Sequence, residues 1–157
     1  MRHLFLFLLP LIFSCGQKKA KEVTVGGVKT KPIPGLTASV VHDKFTNAGF
    51  KLEKTSDGDL SVWTSVENNE MHEFKVTTNS TNEANVISLQ ASVVSMLTLD
   101  QSAKDFMANV ASIQYKYADP QKAKEWVMAN LQNGGSTTIG DVNFQVTVNN
   151  ETSRNLK

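Results

Sequence analysis

The chain has 157 residues, of which 40% are hydrophobic and 20% charged, and it contains nine glycines and four prolines. This composition is typical of one modest globular domain and excludes a collagen-like or wholly disordered chain. Sixteen basic and fifteen acidic side chains leave a net charge of +1, which is not the strongly basic balance of a dedicated nucleic-acid binder. We therefore expect no nucleic acid among its partners.

The first residues carry a targeting pattern. Arg2 precedes an apolar run over residues 4–13, and Ser14, Cys15 and Gly16 follow it. A cleaved export peptide has a positively charged start, a short apolar stretch and a small residue at the cleavage site. The apolar stretch here is too short to span a bilayer comfortably. The sequence therefore predicts a signal peptide over residues 1–14.

Cys15 is the only cysteine, which excludes an internal disulfide and leaves a metal site in need of other ligands. The tetrapeptide Ile12-Phe13-Ser14-Cys15 resembles the lipobox of bacterial lipoproteins, although Phe13 is bulkier than the residue usual at that position. The resemblance implies that Cys15 becomes the first residue of the mature chain and carries acyl chains such as palmitate. Two or three buried chains anchor a protein stably, because each buried CH₂ contributes about 0.8 kcal/mol. The alternative is a plain secretory signal cleaved nearby.

Residues 15–34 are interpreted as the lipidated cysteine followed by a basic tether. The segment 16–34 contains five lysines and one acid, Glu22. Such lysines either attract anionic lipid headgroups or form a solvated spacer, and Val23-Thr24-Val25 is a candidate edge strand. By the same resemblance, Gly16 stands where an Asp retains enterobacterial lipoproteins in the inner membrane. The expected location is the cell envelope, lipid-anchored in the outer membrane and facing the periplasm.

Residues 35–157 are predicted to form one α+β domain. Thr37 is a candidate N-cap for a first helix that ends near Gly49. Alternating residues and turn sequences then predict four strands that follow one another in an antiparallel meander, over residues 50–54, 60–66, 72–76 and 85–92.

Two helices and a last strand complete the domain. Apolar residues recur at helical spacing from Ala103 to Ile113, with Asp100 or Ser102 as cap, and Asp119-Pro120 begins a second helix. One more alternating strand covers residues 142–148. The predicted order is α-β-β-β-β-α-α-β, a curved antiparallel sheet whose apolar face is covered by helices packed on one side.

The sequence contains no familiar catalytic, phosphate-binding or paired-cysteine motif. His42 and His72 remain after removal of the signal, and each lies near acids, Asp43 for the first and Glu70 and Glu73 for the second. Either histidine could join a carboxylate in a hydrolytic or metal site. Alternation places His72 on the same face as Phe74 and Val76, whereas His42 is expected on the polar side of its helix. We predict no catalytic residue, metal or cofactor.

Three aromatic residues and one histidine are candidates for ligand contact. Trp63 alternates away from Leu60, Val62 and Val66, so the sequence allows it to be exposed, while packing beneath the first helix or the tether is the alternative. The other candidates are Tyr115 and Tyr117, between the two later helices, and His72. For the two tyrosines, too, packing in the core is the alternative.

Two classes of function follow from these features. The first is a membrane-anchored, non-catalytic binding or interaction protein. Its partners are the bilayer through Cys15 and an envelope protein, a glycan or a lipid-like ligand. The alternative is a small envelope hydrolase that uses His42 or His72 with a nearby carboxylate.

Overall fold

The structure is a computed structural model that describes residues 22–96 and 98–157. The predicted signal peptide, Cys15 and the lysines up to Lys21 lie outside the described residues. Within them the chain forms, in order, β1 (Val23–Val25), β2 (Val28–Thr30), α1 (Ala38–Thr46), β3 (Lys51–Asp57), β4 (Leu60–Asn68), β5 (His72–Ser80), β6 (Val86–Ser95), α2 (Gln101–Ala111), α3 (Pro120–Asn130), β7 (Gly135–Ile139), β8 (Val142–Asn150) and β9 (Ser153–Leu156).

Seven of the strands form one sheet in the order β3-β4-β5-β6-β9-β8-β7, and each neighbouring pair is antiparallel. The predicted α+β class, with an antiparallel sheet in a single domain, is confirmed. The predicted meander is β3 to β6. The last strand, β9, does not extend the sheet at an edge but lies between β6 and β8, so the carboxyl-terminal hairpin is joined to the meander through it.

One face of the sheet is covered by helices. Along β5 alternate side chains are buried, starting with His72, Phe74 and Val76, which confirms the predicted common face of these three residues. The Phe106 ring of α2 stacks on Phe74 with centroids 4.7 Å apart, and α1 reaches the same face through His42. Apolar area removed from water here supplies the main stabilisation of the domain.

The helices begin where their caps were predicted. The side-chain oxygens of Thr37, Asp100 and Asp119 each accept a hydrogen bond from the backbone N–H three residues later. Each bond satisfies one of the amides that the first turn of a helix leaves unpaired. Of the two caps considered for α2, the structure selects Asp100.

The strand content exceeds the prediction after α3. One strand was expected there and three are present, because residues 135–139 pair with β8 as β7 and Ser153–Leu156 forms β9. Val23–Val25 is a strand, as the sequence allowed, but it pairs with β2 in a separate hairpin rather than at the edge of the main sheet.

The residues that follow this hairpin pack on the domain, and we call residues 31–36 the strap. The Ile33 N–H donates to the Val86 carbonyl at 2.7 Å, and the Lys116 N–H donates to the Pro34 carbonyl at 2.7 Å. Leu36 is fully buried in the core. The strap therefore joins β6 to the connection between α2 and α3.

Candidate functional site

A groove opens where β6 and β9 separate. Strand pairing between them covers only Ala91 to Val94 of β6, and β9 then continues alongside β8, where Gln145 and Lys157 exchange two backbone hydrogen bonds of 2.7 and 2.8 Å. The groove between the diverging strands has a volume of about 1320 Å³. We call it the sheet groove.

The sheet groove has an apolar interior and a charged rim. Its walls are the β6 segment 87–89 and the β8 segment 142–145, and its roof is formed by the strap, the end of α2 and the connection to α3. The apolar interior is provided mainly by Leu36, Leu89, Val110, Ile113, Phe144 and Leu156. Charges at the rim are Lys31, Lys116, Lys157, Glu22 and Asp141.

Tyr115 and Tyr117 both line the sheet groove. The Tyr115 hydroxyl donates to the Ile139 carbonyl at 2.6 Å, which fixes the ring against the β7–β8 turn. Burial raises the pKa of Tyr115, and the carboxylates of Asp119 and Asp141 raise it further. Tyr117 is 49% exposed and has a positive φ of 70°, a conformation that bulky residues rarely adopt. Two of the predicted contact residues are therefore in one site.

Trp63 lies outside the sheet groove and packs beneath the first helix, one of the two alternatives that the sequence left open. It pairs with Thr78 on the helix-covered face, half-buried against the His42 ring with centroids 4.3 Å apart. The Lys54 ammonium lies 4.2 Å from the centre of the indole. The apolar residues Val62 and Val66 instead face the uncovered side of the sheet.

His42 is buried rather than on the polar side of α1 as expected. Its Nε2 is 3.2 Å from the Thr78 hydroxyl. Burial lowers the pKa of His42 and outweighs the opposite effects of Asp43 and Glu83, while Lys54 lowers it slightly more. The ring therefore favours the neutral form, which is suited to packing beside Trp63.

His72 bridges a serine and a carboxylate. Its Nδ1 is 3.0 Å from the Ser95 hydroxyl and its Nε2 is 2.8 Å from Asp100 Oδ2. The carboxylate is thus Asp100 rather than the nearby Glu70 or Glu73. The pKa of Asp100 is lowered chiefly by the hydrogen bond from the Ala103 amide and then by His72.

This Ser-His-Asp connection has the residue types of a hydrolytic triad. Ser95 is only 4% and His72 only 7% exposed, however, and none of the three residues lines the sheet groove. A serine nucleophile needs a cleft that admits the scissile carbonyl, together with donors for the oxyanion. In the folded chain this hydrogen-bonded connection links β5 and β6 to the N-terminus of α2.

Two other kinds of feature bear on function, metal sites and membrane-spanning helices. Across residues 22–96 and 98–157 no group of three or more His, Cys, Asp or Glu side chains is placed to hold a metal ion. In the same part of the chain, no helix has the length and hydropathy needed to cross a bilayer. Comparison of the chain with protein-family models, with curated proteins and with solved structures finds no match.

The sequence pointed to two tyrosines of the sheet groove but not to the groove itself. Its walls are the segments 87–89 of β6 and 142–145 of β8, which are more than fifty residues apart in the chain and have no shared motif. Only the insertion of β9 between them creates the site, and β9 carries no recognisable strand pattern.

Proposed function

We propose that this chain is a lipid-anchored envelope lipoprotein whose domain binds a ligand, without catalysis, in the sheet groove. The anchor rests on the resemblance of residues 12–15 to a lipobox, and the outer membrane facing the periplasm is the proposed location. The binding function rests on one observation, the groove of about 1320 Å³ between β6 and β8.

The groove has the properties of a binding site. Ligand sites are usually concave and apolar, with a few polar groups that orient the ligand, and their volumes are commonly about 300–1,000 Å³. Here the interior is apolar, and Lys31, Lys116 and Asp141 stand at the rim. A recess of this size beside Leu89 and Phe144 supports the proposal of a bound ligand, because protein interiors are otherwise closely packed.

The anchor is tested by expressing the full chain with its own signal in a bacterium and labelling the cells with an alkyne analogue of palmitate. We expect the label in the protein and an intact mass that begins at an acylated Cys15. The matched control is Cys15→Ser, which should lose the label. An unlabelled wild-type chain would refute the anchor and leave the groove proposal standing.

The groove is tested in the same cells with a photo-crosslinking amino acid at Tyr117, which is exposed at the rim. The matched position is Thr138, which is exposed on β7 outside the groove lining. We expect an adduct of defined mass from position 117 that is absent from position 138 and is lost when Leu89→Trp fills the groove. Equal adducts at the two positions would contradict a groove ligand.

The Ser95–His72–Asp100 connection keeps a hydrolase as the second candidate. If it is catalytic, Ser95→Ala and Asp100→Asn should abolish hydrolysis of small activated esters and leave the urea unfolding midpoint nearly unchanged. If it is structural, no ester hydrolysis is measured above background, and the Ser95→Ala and His72→Ala proteins unfold at lower urea. The burial of Ser95 favours the second result.

A further inference from the structure

A second recess lies on the helix-covered face of the sheet. It has a volume of about 530 Å³, within the range of about 300–1,000 Å³ that is common for small-molecule sites. Its walls come from α1, α2, β4, β5 and the residues just before β3, and it shares no lining residue with the sheet groove. We call it the phenyl recess, because four of its lining residues are phenylalanines, Phe45, Phe50, Phe74 and Phe106.

The four phenyl rings form one connected cluster. The centre of the Phe106 ring is 4.7 Å from that of Phe74 and 6.0 Å from that of Phe50. Phe45 meets Phe50 edge-on at 5.2 Å. The planes of Phe50 and Phe106 differ by only 12°, so the faces of these two rings point in the same directions. The face of a phenyl ring is negative and attracts a cation within about 6 Å of its centre. The recess therefore offers a cation a surface of phenyl rings, among which Phe50 is half-buried and the other three are buried.

Two carboxylates line the same recess. Glu67 pairs with Phe74, so its half-buried side chain lies on the helix-covered face, and Asp105 is exposed on α2. Across residues 22–96 and 98–157, no lysine, arginine or histidine nitrogen lies within 4.0 Å of either carboxylate. A carboxylate that is partly removed from water beside apolar rings is stabilised by an opposite charge. In the described part of the chain no side chain supplies that charge.

Lys44 lines the recess, but its ammonium is engaged elsewhere. It donates to the Asn109 carbonyl at 2.9 Å and so joins α1 to α2. Burial lowers the pKa of Lys44, and among the described residues no carboxylate raises it again. Glu67 and Asp105 are therefore left to interact with a cation that comes from outside the chain.

We propose that the phenyl recess binds the quaternary ammonium group of a small solute. Glu67 and Asp105 supply the opposite charge, and the phenyl rings contact the N-methyl groups, as in other aromatic sites for such cations. A primary ammonium is strongly hydrated and brings three N–H donors that need acceptors, whereas a quaternary ammonium has none. The site is separate from the sheet groove, so this inference goes beyond the groove-binding function and does not depend on it.

A free solute fits the recess better than a lipid headgroup with the same cation. Phe74 pairs with Val93 of β6, whereas the strap binds that strand at Val86, about 24 Å away at about 3.4 Å per residue. The recess is thus remote from the strap and has no wall in common with the apolar groove. A headgroup bound here would leave its acyl chains in water, which is unfavourable.

The test observes the phenyl rings directly by NMR. Residues 15–157 contain five phenylalanines, the four of the recess and Phe144 of the sheet groove. The processed full chain is labelled at phenylalanine, extracted in dodecyl maltoside and titrated with choline chloride, and potassium chloride controls for ionic strength. The matched ligand is dimethylbutanol, the neutral isostere in which carbon replaces the ammonium nitrogen. We expect saturable shifts of Phe50 and Phe106 with choline, an unchanged Phe144, and at least tenfold weaker binding of the isostere.

Two isosteric variants separate the role of Glu67 from general electrostatics. Glu67→Gln should weaken choline binding at least fivefold and leave binding of the isostere within about twofold. The matched control is Glu73→Gln, which removes the same charge from the uncovered face of the sheet and should leave choline binding within about twofold. The comparison of choline with its isostere on the wild type needs no variant, so it decides the proposal even if Glu67→Gln does not fold.

Equal binding of choline and dimethylbutanol would show a recess without preference for charge and would overturn the proposal. Shifts that reach Phe144 equally, or equal effects of Glu67→Gln and Glu73→Gln, would also overturn it. Dihexanoylphosphatidylcholine carries the same cation on a soluble lipid. If it binds at least tenfold more tightly than choline, the cation belongs to a lipid and the assignment to a free solute is wrong. Crosslinking from position 117 tests the groove independently of all these results.

Discussion

His42 makes the stability of the domain depend on pH in the mildly acidic range. Burial lowers its pKa in the folded chain below the ordinary value of 6.5 that the unfolded chain retains. Between these two pKa values the unfolded chain binds more protons, so the free energy of unfolding falls as the pH drops below 6.5. At higher pH the His42 ring is neutral in both the folded and the unfolded chain, so it causes no loss of stability.

We predict that His42→Gln reduces this dependence. Glutamine does not titrate and can still reach Thr78. At pH 7.5 the free energy of unfolding of the variant should be about 1 kcal/mol lower than that of the wild type, because glutamine packs less well on Trp63. Between pH 7.5 and 5.5 the free energy of unfolding should fall less in the variant than in the wild type. Urea unfolding at pH 7.5, 6.5 and 5.5 measures the difference between the two proteins. A constant difference across this range would show that His42 does not titrate as inferred.

Arg154 holds β9 in place by its side chain. It is 4% exposed, and its guanidinium donates to the carbonyls of Leu131, at the end of α3, and of Asn150 and Ser153. A cation at the carboxyl end of a helix is also favoured by the helix dipole. The residue therefore connects the strand beside the sheet groove to α3.

Arg154→Ala should lower the free energy of unfolding by roughly 3 kcal/mol, because it leaves buried carbonyls without donors. Arg154→Lys should recover little of this, since an ammonium cannot reproduce the planar arrangement of donors. The matched control is Lys122→Ala on the exposed side of α3, expected to change the value by less than about 0.5 kcal/mol. Equal effects of Arg154→Ala and Lys122→Ala would contradict this role.

At the scale of elements, local signals placed the helices and the meander but not β9. The caps Asp100 and Asp119 act within one turn, so the sequence contains all the information they need. The segment 153–156 reads Ser-Arg-Asn-Leu, with a charged residue where the buried face requires an apolar one. It is a strand because β6 and β8 pair with it and because Leu131 accepts from Arg154, and none of these partners is local.

The same reason limited the prediction of the candidate site. Tyr115 and Tyr117 were named as candidates because aromatic residues between helices are conspicuous, and both line the sheet groove. Asp100, the partner of His72, is 28 residues away along the chain, and the alternation of β4 left open whether Trp63 is exposed or packs beneath the first helix. Which face of a strand is covered depends on the helices, which pack only in the folded chain.

The β7–β8 turn is the element that positions the groove tyrosines. Gly140 and Asp141 have φ values of 54° and 64°, the paired positive values of a type I′ hairpin turn. A Cβ on Gly140 would lie 2.0 Å from the Tyr117 carbonyl oxygen. The turn and the connection between α2 and α3 therefore fit together only when residue 140 is glycine.

Gly140→Ala should destabilise the domain by about 3 kcal/mol or more, from the backbone clash added to the cost of a left-handed alanine. Gly58→Ala is the matched control, because Gly58 has a φ of 56° but no atom within 4 Å of the added Cβ. It should cost only about 1 kcal/mol. Similar urea midpoints for the two variants would show that the close approach to Tyr117 is relieved without cost.

At the scale of the whole molecule, the proposed anchor and the sheet groove are close together in the chain. Glu22 and Lys31 belong to the groove lining, and seven residue steps separate Glu22 from Cys15. A fully extended chain spans at most about 3.6 Å per residue, so the rim at Glu22 lies within about 25 Å of an acylated Cys15. A partner bound in the groove is then held near the membrane surface.

This bound predicts efficient energy transfer between a fluorophore at Thr24 of β1 and an acceptor on the lipid headgroups. Because Cys15 is the only cysteine and its thiol is acylated in the proposed lipoprotein, Thr24→Cys provides a unique labelling site. Inserting a Gly-Ser linker of about 20 residues between Lys21 and Glu22 adds a root-mean-square length of about 25 Å and should reduce the transfer. Transfer that is weak without the linker, or unchanged by it, would mean that the domain is not held to the membrane through Cys15.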